Sequence, residues 1–230
     1  MARTSQADEP SWREQAVARS LDSARLRAES RVQRFLEAAI ELLNSGPSKD
    51  FTVQEVVERS GQSLRSFYQY FGGKHELILA LFDESVRWTA DYLREAIAGE
   101  DGSLERLHGF VVECYRVCRR VGESRTVVSV QPPIVAGFAQ QLLTTHPMEA
   151  ARAFAPLVAL FEELLEEAVA TNAIRQDLQG SPAVGFVLEL IMFNGFLPVI
   201  GDSSARSEDD DSAEAMWKFV LHGIGTIPPA

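Results

Sequence analysis

The sequence predicts an all-α fold. Apolar residues recur at helical period in nearly every segment, no run of alternating β-branched residues bounded by turns suggests a sheet, and Gly and Pro breakers separate the periodic stretches.

Val32, Phe35, Leu36, Ala39 and Leu43 share one face and define a first amphipathic helix that ends near Asn44-Ser45-Gly46-Pro47. Three signals then mark a second helix start: Thr52 can cap it, Glu55 can reach back to the Thr52 amide, and Phe51 can staple onto Val56. That helix stops near Ser60, because Gly61 can take the left-handed conformation that turns the chain. A third helix is expected over about 63–71. Val53, Val56 and Val57 on the second, with Leu64, Phe67 and Phe71 turned inward on the third, let two short helices pack steeply against the first. This is helix-turn-helix geometry.

Gly72-Gly73 closes the motif, and Lys74 opens a long helix carrying Leu77, Ile78, Leu81, Phe82, Val86 and Tyr92 to about residue 98. Further helices are expected at about 103–121, 125–130 and 134–144, the middle one stopped by Pro132-Pro133. Pro147 suits the first position of a helix to about 172, with Glu162, Glu163, Glu166 and Glu167 as its solvated outer face. Ser181-Pro182 begins another helix, to about 197, and Asp211 with Glu214 marks the acidic start of the last.

At 230 residues, 46% hydrophobic and 24% charged, the composition is that of a soluble globular chain. Cys114 and Cys118 lie four apart on one helix face, which does not suit a disulfide framework and fits a reducing, cytoplasmic setting. No apolar stretch follows the N-terminal arginines, so no secretory signal is expected. The window 183–200 is apolar but holds Glu189, Asn194 and Pro198, and reads as a buried interface helix rather than a membrane span.

The net charge of −11 is unevenly placed: residues 1–80 hold 11 Lys/Arg and 11 Asp/Glu, whereas residues 81–230 hold 11 against 22. The acidic excess therefore does not burden the helix-turn-helix. Arg13, Arg19, Arg25, Arg27, Arg31 and Arg34 face only Glu14, Asp22 and Glu29. Residues 1–30 thus read either as an arm for phosphates or the minor groove, or as a disordered polar tail.

With Leu64, Phe67 and Phe71 inward, the third helix presents Ser63, Arg65, Ser66, Tyr68, Gln69 and Tyr70 outward. Arg65 has the fork to pair with guanine and Gln69 the amide to pair with adenine, each contact contributing about 1–3 kcal/mol of discrimination. Thr52 at one helix N-terminus and Lys74 at another suit phosphate oxygens.

The run Phe51 to Ser63, followed by Ser66-Phe67-Tyr68-Gln69-Tyr70-Phe71 and Lys74-His75-Glu76-Leu77, resembles the DNA-binding signature of the TetR (tetracycline-repressor-like) regulators over about residues 31–80. The resemblance implies backbone contacts from Thr52, Tyr68, Tyr70 and Lys74, base or near-base contacts from Arg65, Ser66 and Gln69, and core roles for Phe67 and Phe71. Gln69 stands where many members have histidine, which bears on base preference and not on fold. It further implies an all-α homodimer with a helix-turn-helix DNA-binding domain at 31–75 and a helical effector-binding and dimerisation domain at 76–230.

Beyond residue 80 the reading rests on pattern. The apolar helix at 182–197 and the last helix at 211–225 are the expected dimer interface, giving a two-fold reader of palindromic double-stranded operator DNA. Trp88, Tyr92, Phe110, Cys114, Phe138, Phe154, Phe161 and Met192 are the candidate lining of a pocket for a hydrophobic effector, against the alternative of a filled core. The four histidines show no zinc spacing, so no metal and no cofactor is expected. No nucleophile–base pair, paired carboxylates or phosphate-cradling glycine loop suggests an enzyme. A ligand-released repressor is the leading reading; an all-α enzyme or lipid or small-molecule carrier, and an effector-independent DNA-binding activator, stand as alternatives.

Overall fold

The computed structural model describes residues 12–44, 51–119, 142, 144–178, 182–196 and 209–225. These form helices α1 (Trp12–Asn44), α2 (Val53–Ser60), α3 (Leu64–Tyr70), α4 (Lys74–Ile97), α5 (Ser103–Arg119), α6 (Pro147–Ala170), α7 (Ala183–Phe196) and α8 (Asp209–Ile224), with a 3-10 turn at Gln176–Leu178. The helix expected at 125–130 and most of that at 134–144 lie outside the described residues. By its internal contacts the chain divides after Lys74 into two units.

In the first unit α1 begins at Trp12, well before Val32. Periodicity missed this because the added turns bury nothing: Val17, Leu21 and Leu26 are all exposed. The helix is continued by good helix formers and by pairs such as Arg25 Nε to Glu29 Oε1 at 2.7 Å. Its later turns bury Phe35, Leu36, Ala39 and Leu43 beneath α2. Phe35 is the centre of an aromatic cluster. Its ring meets Phe67 edge-on at 5.4 Å and Phe71 edge-on at 6.2 Å, and Phe67 and Phe71 lie 5.4 Å apart.

Between α2 and α3, Gly61 adopts φ 64° and ψ 23°. Its N–H donates to Glu58 O and that of Gln62 to Val57 O, the paired bonds that end a helix in a left-handed residue. A Cβ at Gly61 would meet no atom within 4 Å, so the cost of substitution is conformational alone. Gly61→Ala should therefore lower stability by about 1–2 kcal/mol, with Gly61→Asn losing less; equal stability of all three proteins in urea titration would contradict this.

The second unit is a helical bundle in which α5 packs against α6, α7 and α8. Its core joins Phe82, Val86, Ala90, Leu93 and Ile97 of α4 to Leu107, Phe110 and Val111 of α5 and Leu157, Leu160, Phe161 and Leu164 of α6. Val184, Val187, Leu188 and Ile191 of α7 and Ala213, Trp217, Val220 and Ile224 of α8 complete it. Polar links run between the helices: Tyr92 Oη donates to Glu113, itself paired with Arg116, and His108 Nε2 lies 3.0 Å from Glu214 Oε1. The acidic face of α6 is only partly solvated, because Glu167 sits at the edge of that face and pairs with Arg106 of α5. Beyond α6, Asn172 takes φ 58°, Ile174 bridges Gly225, and the Arg175 N–H donates to Ile224 O. Among the described residues no helix is long and apolar enough to cross a membrane.

Candidate DNA-binding site

Two capped helix starts fix the reading head. At α2 the Glu55 N–H donates to Thr52 Oγ1 at 3.2 Å while the Thr52 N–H donates to Glu55 Oε2 at 2.7 Å, the reciprocal pair expected from the sequence. The Thr52 hydroxyl also donates to Glu55, at 2.9 Å, so a phosphate oxygen approaching Thr52 competes with a carboxylate. At α3 the Ser66 N–H donates to Ser63 Oγ at 3.1 Å, which makes Ser63 the N-cap of the recognition helix. Arg59 of α2 pairs with Glu41 of α1 at 3.1 Å.

Phe67 and Phe71 anchor α3 inward, and Arg65, Tyr68 and Gln69 are exposed on it, with Tyr70 half-buried. Leu64 departs from the expected inward set and is 43% exposed. It holds the first position of α3, and side chains lean toward a helix's N-terminus, so it projects past the end rather than onto the core. Ser66 also departs from its expected outward place. Its Oγ is buried without a hydrogen-bond partner among the described residues, so the hydroxyl does not face a base edge in this conformation. A buried unsatisfied hydroxyl costs stability, and Ser66→Ala is expected to hold or raise it by up to about 1 kcal/mol. A fall of several degrees in Tm would show that the hydroxyl is bonded after all.

Lys74 places its Nζ over the Phe51 ring, 4.7 Å from the centroid. In the sequence Phe51 reads as the staple to Val56, and Phe51 and Lys74 stand 23 positions apart with no pattern that would have paired them. The contact positions a cation at the start of α4, directly after the recognition helix in the chain.

The residues expected to line an effector pocket fall in and around one core. Phe110, Cys114 and Phe161 are buried in it, with Phe110 and Phe161 stacked at 4.8 Å, and Tyr92, Phe154 and Met192 pack against it. Trp88 is 41% exposed and stacks on Tyr92 at 5.5 Å; Phe138 lies outside the described residues. Hydrogen bonding to Cys118, then burial, pushes the Cys114 thiol well above the ordinary range for cysteine and keeps it protonated.

A short helix, capped by Ser63, held on an aromatic cluster and presenting Arg, Tyr and Gln outward has the form of the DNA-reading helix of a helix-turn-helix. Residues 35–81 match the family described as bacterial regulatory proteins, tetR family. It is 20% identical over 199 residues to the uncharacterized HTH-type transcriptional regulator YvdT of Bacillus subtilis (strain 168), covering 84% of this chain and 95% of YvdT. Among solved structures, the fatty acid degradation regulator FadR from Bacillus halodurans superposes with TM-score 0.62 at 15% identity, over 84% of this chain and 95% of that one. Thermus thermophilus FadR, a TetR family transcriptional repressor solved with lauroyl-CoA, gives TM-score 0.61 at 18% identity, over 86% and 98%. At these identities the superpositions show a shared fold.

Proposed function

We propose that the chain is a homodimeric repressor that binds palindromic operator DNA through residues 31–75 and is released when residues 76–230 bind a hydrophobic small molecule. The observation that carries the reading is α3: Phe67 and Phe71 fix its inner face on Phe35, which leaves exposed Arg65, Tyr68 and Gln69 to read and position DNA. Such a helix enters the major groove, and a two-fold dimer offers two of them about 34–36 Å apart.

Dimerisation through α7 and α8 is supported by their surfaces. Phe186 of α7 is 65% exposed and Phe219 of α8 is 68% exposed, although both helices also bury a full apolar face in the core. Large aromatic side chains left in water on two helices that already bury one apolar face are what a second copy of the chain would cover. A hydrophobic effector is supported by the aromatic and sulfur-bearing side chains gathered around the core, and by the lauroyl-CoA held by the similar Thermus thermophilus protein. The effector acts by favouring a conformation in which the two recognition helices no longer match both half-sites, and it shifts the equilibrium only by its differential affinity for the two conformations.

The test is selection of genomic fragments by the purified protein at fixed, near-physiological salt, followed by sequencing. A recurring palindrome, and its loss from the bound fraction when acyl-chain or aromatic compounds are added, is the expected result. No enrichment over random DNA would overturn the operator reading, and enrichment insensitive to every such compound would overturn the effector.

A further inference from the structure

The second unit brings together three side chains that are far apart in the chain. His75 lies in the first turn of α4, His146 immediately precedes α6, and Glu149 is in the first turn of α6. Their ligand atoms all lie within 4.8 Å of one another. His75 Nε2 is 3.0 Å from Glu149 Oε2, and the two imidazole rings pack at a centroid distance of 4.7 Å. We propose that His75, His146 and Glu149 form a binding site for a divalent transition-metal ion of the zinc class, with solvent completing its shell.

The donor set is the first argument. Two imidazole nitrogens and one carboxylate oxygen suit zinc and its first-row neighbours, whereas calcium and magnesium prefer all-oxygen sites. Spacing is the second. Ligand bonds of about 2.0–2.1 Å around a tetrahedral ion set neighbouring ligand atoms roughly 3.3 Å apart. The His75–Glu149 pair is already near that separation, and rotation of exposed side chains closes the rest. His146 and Glu149 stand three apart at a helix start, which puts them on one side of α6.

Orientation is also in place. Thr145 Oγ1 lies 2.7 Å from His146 Nδ1 and holds that ring. The His75 Nε2 to Glu149 Oε2 contact already turns the carboxyl of α6 toward the imidazole of α4, so both ligand groups face one point. The His75 and Glu149 side chains are 44% and 32% exposed, which gives an ion access from solvent. Two features oppose a dication, the positive end of α6 and the charge of Arg152. Together with the exposure and only three protein ligands, they define an exchangeable site rather than a closed structural one. An ion here ties the first turn of α4 to the first turn of α6.

The test needs no DNA and is independent of the operator and effector readings. The full chain, free of any polyhistidine tag and stripped with chelator, is titrated with Co2+ alone and then with Zn2+ in competition. Expected are one Co2+ per chain, visible d–d absorption, displacement by Zn2+, and at least tenfold weaker binding in each of His75→Gln, His146→Gln and Glu149→Gln. His222→Gln, on α8, serves as the control and should bind as the parent does. Circular dichroism confirms that each variant is folded, and a variant that loses helix is replaced by the Asn substitution at the same position. No saturable binding below about 1 mM, or unchanged binding in the three site variants, would overturn the proposal.

Discussion

Phe35→Ala should cost the DNA-reading unit most of its stability. Phe35 is wholly buried and is the residue on which both inward aromatics of the recognition helix converge, one edge at 5.4 Å and the other at 6.2 Å. Truncating a buried Phe costs about 3–5 kcal/mol, and small units are only marginally stable to begin with. The neighbours cannot collapse into the space easily, because Phe67 and Phe71 are tied to the short helix whose direction they set. Hydrogen exchange should show lost protection in α2 and α3, and specific DNA binding should disappear with it. Full protection of the α3 amides in this variant would show that the cluster is not what holds the helix. Phe35→Leu, which keeps most of the volume, should retain the fold while loosening the edge-on contacts.

Arg65→Ala and Lys74→Ala should fail in different ways. Arg65 is exposed on α3, free of a structural task in the core, so its loss should relax discrimination at one base pair per half-site. At about 1–3 kcal/mol per half-site, and two half-sites in a dimer, specific affinity should fall roughly 30-fold to 10⁴-fold while binding to random DNA changes little. Lys74 is a phosphate candidate, and its removal should weaken binding to all sequences and reduce the salt slope by about one for each half-site. Because Lys74 also lies over the Phe51 ring, its variant should lose a further fraction of a kcal/mol in stability, separable by a denaturant titration without DNA. Equal losses on specific and random DNA for both variants would end this division of labour.

The reading head was legible because its signals are local. Thr52 and Glu55 are three residues apart, Gly61 is a single residue with one conformational role, and the Phe67–Phe71 spacing is one helical turn. The misreadings come from end effects and from water. Leu64 has the right spacing for the core but stands where a helix begins, and residues 12–31 form a helix without the apolar stripe that periodicity needs. Glu167 looks like its acidic neighbours in sequence and differs only in facing Arg106. The histidine cluster was out of reach for a different reason: His75 and Glu149 are 74 positions apart, and no short spacing in the chain announces the pair.

The sulfur chemistry of the chain leaves an opening for spectroscopy. Its two cysteines, Cys114 and Cys118, are both buried, and the first is held as an unreactive thiol. A cysteine introduced at exposed Gln69 would then be the fast-reacting thiol of the native protein, with no need to strip the parent of its own. One spin label or fluorophore per chain, hence two in the proposed dimer, would turn the distance between recognition helices into a directly readable length, with and without each compound offered.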